Sequence, residues 1–102
     1  MNDLEITRLC AQAMGYELPG NEWAVNAPDY YHPLGDDAQA MALIKQQKLA
    51  FYWRYRVVTE PRWEVSDMKG DHLSFSKDLN RAICLCVANM QKAIRDAGAG
   101  EK

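Results

Sequence analysis

The ten residues from Leu49 to Val58, LAFYWRYRVV, constrain the fold of this chain more than any other stretch. Leu49, Phe51, Trp53, Tyr55 and Val57 alternate with Ala50, Tyr52, Arg54, Arg56 and Val58, the period-two pattern of a half-buried strand. Aromatic and β-branched side chains suit a pleated surface, and neither Gly nor Pro interrupts the run before Pro61. The odd-numbered side is therefore the expected core face, with Trp53 at its centre.

Two shorter strands are expected to follow. Thr59-Glu60-Pro61 reads as a turn, Arg62 to Asp67 as a second strand, Met68 to Asp71 as a Gly-containing turn, and His72 to Phe75 as a third strand. If Val57 lies opposite Trp63, Tyr55 meets Val65; if Val65 lies opposite Phe75, Asp67 meets Leu73. Odd numbering then marks the core face through both turns, which predicts an antiparallel meander, since a one-residue slip would turn the apolar set outward. Asp67 is the single misfit, at a strand end.

Helices flank this sheet in the sequence. Asn2, with Glu5 three residues on, has the spacing of a capping box, and Ile6, Leu9, Cys10, Ala13 and Met14 recur at helical intervals up to Gly15. Asp36 and Asp37 suit the N-terminus of a second helix, with Lys45 and Lys48 at its other end and an apolar stripe of Ala38, Met41, Ala42 and Ile44. Ser76 as N-cap and Asp78 in the first turn open a third and longest helix. Its stripe takes in Leu79, Ala82, Ile83, Cys86, Val87, Met90, Ala93, Ile94 and Ala97, with Gly98 as its stop. Between helices one and two, Pro19, Gly20, Pro28 and Pro33 exclude a long element, leaving a short edge strand at Glu22 to Asn26 and an aromatic loop.

The expected fold is α+β: one domain, residues 1–102, with an antiparallel meander of three or four strands and three helices in the order α-(β)-α-β-β-β-α. Helices one and three pack on the odd face. Helix two either joins them or covers the other face, giving a two- or three-layer sandwich.

Composition narrows the functional classes. Hydrophobic residues make up 48% of the chain and charged residues 25%, the range of ordinary globular domains. No run is apolar enough to span a bilayer, and Asp3, Glu5 and Arg8 break the place where a signal peptide would begin, so a cytoplasmic protein is expected. Three cysteines without framework spacing predict reduced thiols. A net charge of -2 favours a protein partner over a general nucleic-acid binder.

The strings DDAQAMALIKQQKLAF, Trp63-Glu64-Val65 and LNRAICLCVANMQ, together with the opening LEITRLCAQAMGYE and its Met14-Gly15 ending, resemble the phage ABA sandwich domain family of small bacteriophage and prophage proteins. The resemblance covers most of the chain outside the Leu18 to Gly35 loop and the tail, and rests on helix and core positions. It implies a bacteriophage origin, an α/β sandwich and no established biochemical activity, with no catalytic motif to carry over. The YWRYRVVTEPR hairpin departs from the family in its richness in Arg and aromatics.

Candidate chemistry is sparse. Cys84 and Cys86, two apart on a helix, diverge by roughly 200° and cannot face one ion, so they read as small buried hydrophobes. Asp29, Tyr30, Tyr31 and His32, near Asp36 and Asp37, lack a partnered nucleophile, a phosphate cradle or a ligand triplet. Neither a catalytic residue nor a metal or cofactor site is expected. Tyr52, Arg54, Arg56 and Arg62 share the even face of the hairpin, where they can anchor a protein or stack and hold single-stranded nucleic acid. The competing reading is that Glu64 lies opposite Arg56 and makes a cross-strand charge pair. The expected function is a phage-encoded, non-enzymatic protein that binds and modulates a host protein in the host cytoplasm, an anti-CRISPR-like counter-defence role being its most concrete form. Its candidate anchors are Tyr52, Arg54, Arg56, Arg62, Tyr30 and Tyr31; the alternative is a nucleic-acid-binding accessory protein using the arginine-rich face.

Overall fold

The computed structural model describes residues 2–15, 31–54 and 60–100, with side chains up to residue 96. The edge strand expected at Glu22 to Asn26, the residues Tyr30 and Arg56, and the end of the long strand from Tyr55 to Val58 lie outside the described residues. Within them the order is α1 (Asp3–Ala13), α2 (Asp37–Gln47), β1 (Ala50–Arg54), β2 (Arg62–Ser66), β3 (Leu73–Ser76) and α3 (Leu79–Gly100), an α+β fold. The strands form one antiparallel sheet in the order β1-β2-β3.

The helix starts follow from side-chain oxygens that accept otherwise orphaned backbone donors. Asn2 Oδ1 accepts from Glu5 N at 2.8 Å, and Asp36 Oδ1 from Gln39 N at 2.9 Å. At α3 the capping oxygen comes two residues later than the sequence predicts: Asp78 Oδ1 accepts from Asn80 N, while Ser76 Oγ accepts from Asp78 N. Gly15 takes the expected left-handed conformation after α1, at φ 83°. The left-handed cap of α2 is Lys48 instead, at φ 58°.

The molecule is organised around α3 rather than around the long strand. α1 and α2 both pack on α3, which in turn packs on β2 and β3. The two divergent thiols report the two sides of this central helix: Cys10 Sγ of α1 donates to the Cys84 carbonyl at 3.5 Å, and Cys86 Sγ donates to the His72 carbonyl, next to β3, at 3.8 Å. Cys84 is thus fully buried against α1, and α1 packs chiefly on α3, which carries it over the sheet. The core joins Ile6, Leu9 and Cys10 to Ala82, Ile83, Cys84, Val87 and Ala88, and adds Ala40, Leu43 and Ile44 from α2 and Val65 from the sheet. On α2 the buried stripe is Ala40, Leu43 and Ile44, one step around from the expected Ala38, Met41 and Ile44; both flanks of Ile44 are apolar, so the pattern discriminates poorly between them.

Both strand registers differ from expectation. Trp63 pairs with Trp53 and Val65 with Phe51, a slip of four residues that keeps the parity of the first hairpin. Between β2 and β3 the parity breaks: Val65 pairs with Ser74, Glu64 with Phe75 and Ser66 with Leu73. The connecting turn sets this offset. Asp67 N donates to the His72 carbonyl, Asp67 Oδ1 accepts from Asp71 N, and Gly70 takes φ 77° while its N–H returns to the Asp67 carbonyl. Phe75 and Leu73 therefore face away from the core, and Ser74 is buried in the place expected of Phe75. The odd face of β1 is on the helix side but is not covered, because α3 reaches β2 and β3 and stops short: Phe51 is 38% and Trp53 43% exposed. The core begins at Val65 instead.

A candidate protein-binding face on the open sheet

The side of the sheet opposite α3 carries Ala50, Tyr52 and Arg54 of β1, Arg62, Glu64 and Ser66 of β2, and Leu73 and Phe75 of β3. α2 packs on α3, so this face stays open. Tyr52 and Phe75 are the Cα partners of Glu64 on either side, forming one row across the sheet, and both rings are about two-fifths exposed, at 39% and 40%. Glu64 between them is nearly covered, with only 6% exposure.

Arg54 and Arg62 pair directly in the register, an arrangement that like charge disfavours. The face resolves it with three neighbours. Arg54 Nε donates to Glu64 Oε2 at 2.8 Å, its guanidinium lies 4.6 Å from the centre of the Tyr52 ring, and Nη2 donates to the Tyr52 hydroxyl at 3.4 Å. Arg62 lies over the Phe75 ring at 4.0 Å. These cation–π stacks hold two long side chains in place while leaving their ring partners accessible. Glu64, with the Tyr52 hydroxyl adding, holds the Arg54 guanidinium above its ordinary range, so it stays charged at any physiological pH. Among the described residues the face carries two arginines against one glutamate, a local excess of one positive charge on a chain of net charge -2.

Of the residues expected to act, Tyr52, Arg54 and Arg62 are brought together. Glu64 pairs with Arg54, diagonal to it, and has Tyr52 as its Cα partner in β1; the expected pairing of Glu64 with Arg56 lies outside the described residues. Tyr31 is a correction: it is 3% exposed and belongs to the core formed with the helices, just ahead of the turn in which Gly35 N and Asp36 N donate to the His32 carbonyl. It cannot serve as a surface anchor. Sequence reasoning missed Phe75 and Leu73, which complete the face; as apolar residues in a short strand they read as core, and the six-residue turn that reverses their side has no apolar signature.

β1 is exposed on its helix-side face as well, where Phe51 and Trp53 gather around Trp63 at ring-centre distances of 6.2 and 5.3 Å. It is also a sheet edge among the described residues, with one side of its backbone unpaired. Among the described residues no three His, Cys, Asp or Glu side chains gather as a metal site, and no helix is long and apolar enough to cross a membrane. No family model, no curated protein and no solved structure matches the chain.

Proposed function

We propose that this chain is a small non-enzymatic protein that acts by docking the open face of its sheet, at the β1 edge, onto another protein. The observation that carries the reading is the row Tyr52–Glu64–Phe75 flanked by Arg54 and Arg62. Tyr and Arg are among the residue types most enriched in binding hot spots; here Tyr52 and Arg54 are exposed, Arg62 is half-buried, both arginines are prestacked on rings, and Arg54 is anchored on a nearly buried carboxylate. Stacking in the free protein lowers the ordering cost of binding. The edge of β1, unpaired among the described residues, adds a backbone surface that can accept a partner strand.

A protein partner is favoured over nucleic acid because Glu64 already neutralises Arg54, leaving Arg62 as the face's uncompensated charge among the described residues. Phosphate-tracking grooves depend on several free cations. A bacteriophage setting and a host-protein target, including a counter-defence role, are part of the same proposal; they rest on the resemblance in the helices and on small size without a catalytic set. Affinity capture from bacterial lysate with the parent and with the Tyr52→Ala, Phe75→Ala double variant tests the reading. A protein retained by the parent and lost by the folded double variant supports it, whereas equal capture by both removes this face from consideration.

A further inference from the structure

The apolar stripe of α3 continues past its partners. Val87 and Ala88 are fully buried, but two turns later Ala93 and Ile94 are exposed, Ile94 at 65%. Across a groove of about 590 Å³ lies Met68, at the tip of the β2–β3 turn and 75% exposed, the most open large apolar residue among those described. Met90, Ala93 and Ile94, at i, i+3 and i+4, give the surface a helical ridge, and the space between that ridge and Met68 gives it a groove. Ridge and groove lie side by side on one patch. The rim carries both signs of charge: Lys48 and Lys69 on one hand, Asp67 and Asp71 on the other, none with an ion-pair partner among the described residues.

An interface about a two-fold axis must match itself, since each residue i that meets j is answered by j meeting i. A patch with a ridge beside a groove, and two lysines beside two aspartates without ion-pair partners among the described residues, meets that condition in shape and in charge. We infer that a second copy of this chain occupies the groove: the Met90–Ala93–Ile94 ridge of each protomer seats against Met68 of the other, and Lys69 of each pairs with Asp71 of the other. A partner of one charge would leave either the lysines or the aspartates facing a like charge. This surface lies at the far end of α3, on the helix side of the sheet, so two-fold pairing leaves the open sheet face of each protomer free, and the inference stands apart from the binding role proposed above.

Sedimentation equilibrium over a concentration series tests it on the full chain. The parent is expected to self-associate to a dimer. Ile94→Asp, at an exposed position that costs the fold little, should weaken association by at least about 30-fold, the scale of a lost hot spot. Charge reversal supplies an independent test of the pairing. Lys69→Asp alone and Asp71→Lys alone should each remain monomeric, and mixing the two should restore a dimer, since every crossed pair is then opposite in sign. A parent that stays monomeric up to millimolar concentration overturns the inference, and so does a dimer indifferent to Ile94→Asp, or two charge variants that fail to associate when mixed.

Discussion

At the scale of single residues, two positions carry strain or charge that can be tested directly. Lys48 caps α2 in the left-handed region, where its N–H donates to the Ile44 carbonyl, and an L-residue with a Cβ pays for that conformation where glycine does not. Lys48→Gly should therefore stabilise the fold by about 1 kcal/mol, read from urea denaturation at low protein concentration. Cys86 is the second position. Burial, with the Asp67 carboxylate adding, pushes its thiol from 9.0 up to about 11. Cys10 moves in the same direction, held by its hydrogen bond with Cys84 and then by burial. In both cases the folded chain keeps a proton that the unfolded chain releases first. The stability contribution is thus complete below pH 9 and falls as pH rises from 9.0 to about 11 for Cys86. A loss between about 1 and 3 kcal/mol over that window is expected, reduced in Cys86→Ala. A denaturation midpoint equally steep in pH for parent and variant would assign the loss to other groups.

At the scale of elements, α3 is the helix on which both of the others and the sheet depend. Ile83 is 1% exposed in the middle of it, so Ile83→Ala removes packing from several elements at once and should cost about 3 to 4 kcal/mol. Trp53, although it lies on the helix side of β1, is 43% exposed and packs chiefly on Trp63. Trp53→Ala should cost only about 1 to 2 kcal/mol, the value of a partly buried ring and one aromatic contact. Comparing the two midpoints checks which element holds the core. Were the Trp53 variant as unstable as the Ile83 variant, β1 would be an integral wall of the core rather than its overhang.

At the scale of the whole molecule, the arrangement separates a side covered by helices from an open one, the side proposed to bind. The helices bury the apolar residues around α3, and the sheet presents its far face and the β1 edge outward. Arg54→Ala is informative here because it does two things: it removes a proposed anchor and leaves Glu64 nearly buried without its 2.8 Å partner. Arg54→Ala should therefore lower stability as well as binding, whereas Phe75→Ala should lower partner binding by about 2 kcal/mol and stability much less. Titration calorimetry with the captured partner, alongside thermal melts, distinguishes the two effects.

What the sequence by itself determined was local. The three helices, their polar caps at Asn2 and Asp36, the Gly15 stop, the antiparallel order of the strands and the even-face grouping of Tyr52, Arg54 and Arg62 all follow from short-range periodicity and from backbone groups that need partners. What only the tertiary structure decided was which apolar residues find cover. Phe51, Trp53, Leu73, Phe75 and Ile94 are as hydrophobic as the residues of the core, and nothing in their spacing marks them as exposed. Their fate depends on where α3 ends against the sheet and on a six-residue turn that shifts β3 by one place relative to β2. The burial of Tyr31 and the meeting of Cys10 with Cys84, 74 residues apart, have the same origin. Hydrophobicity drives burial without direction, so the pattern names the candidates for the core, and only the packing of whole elements selects among them.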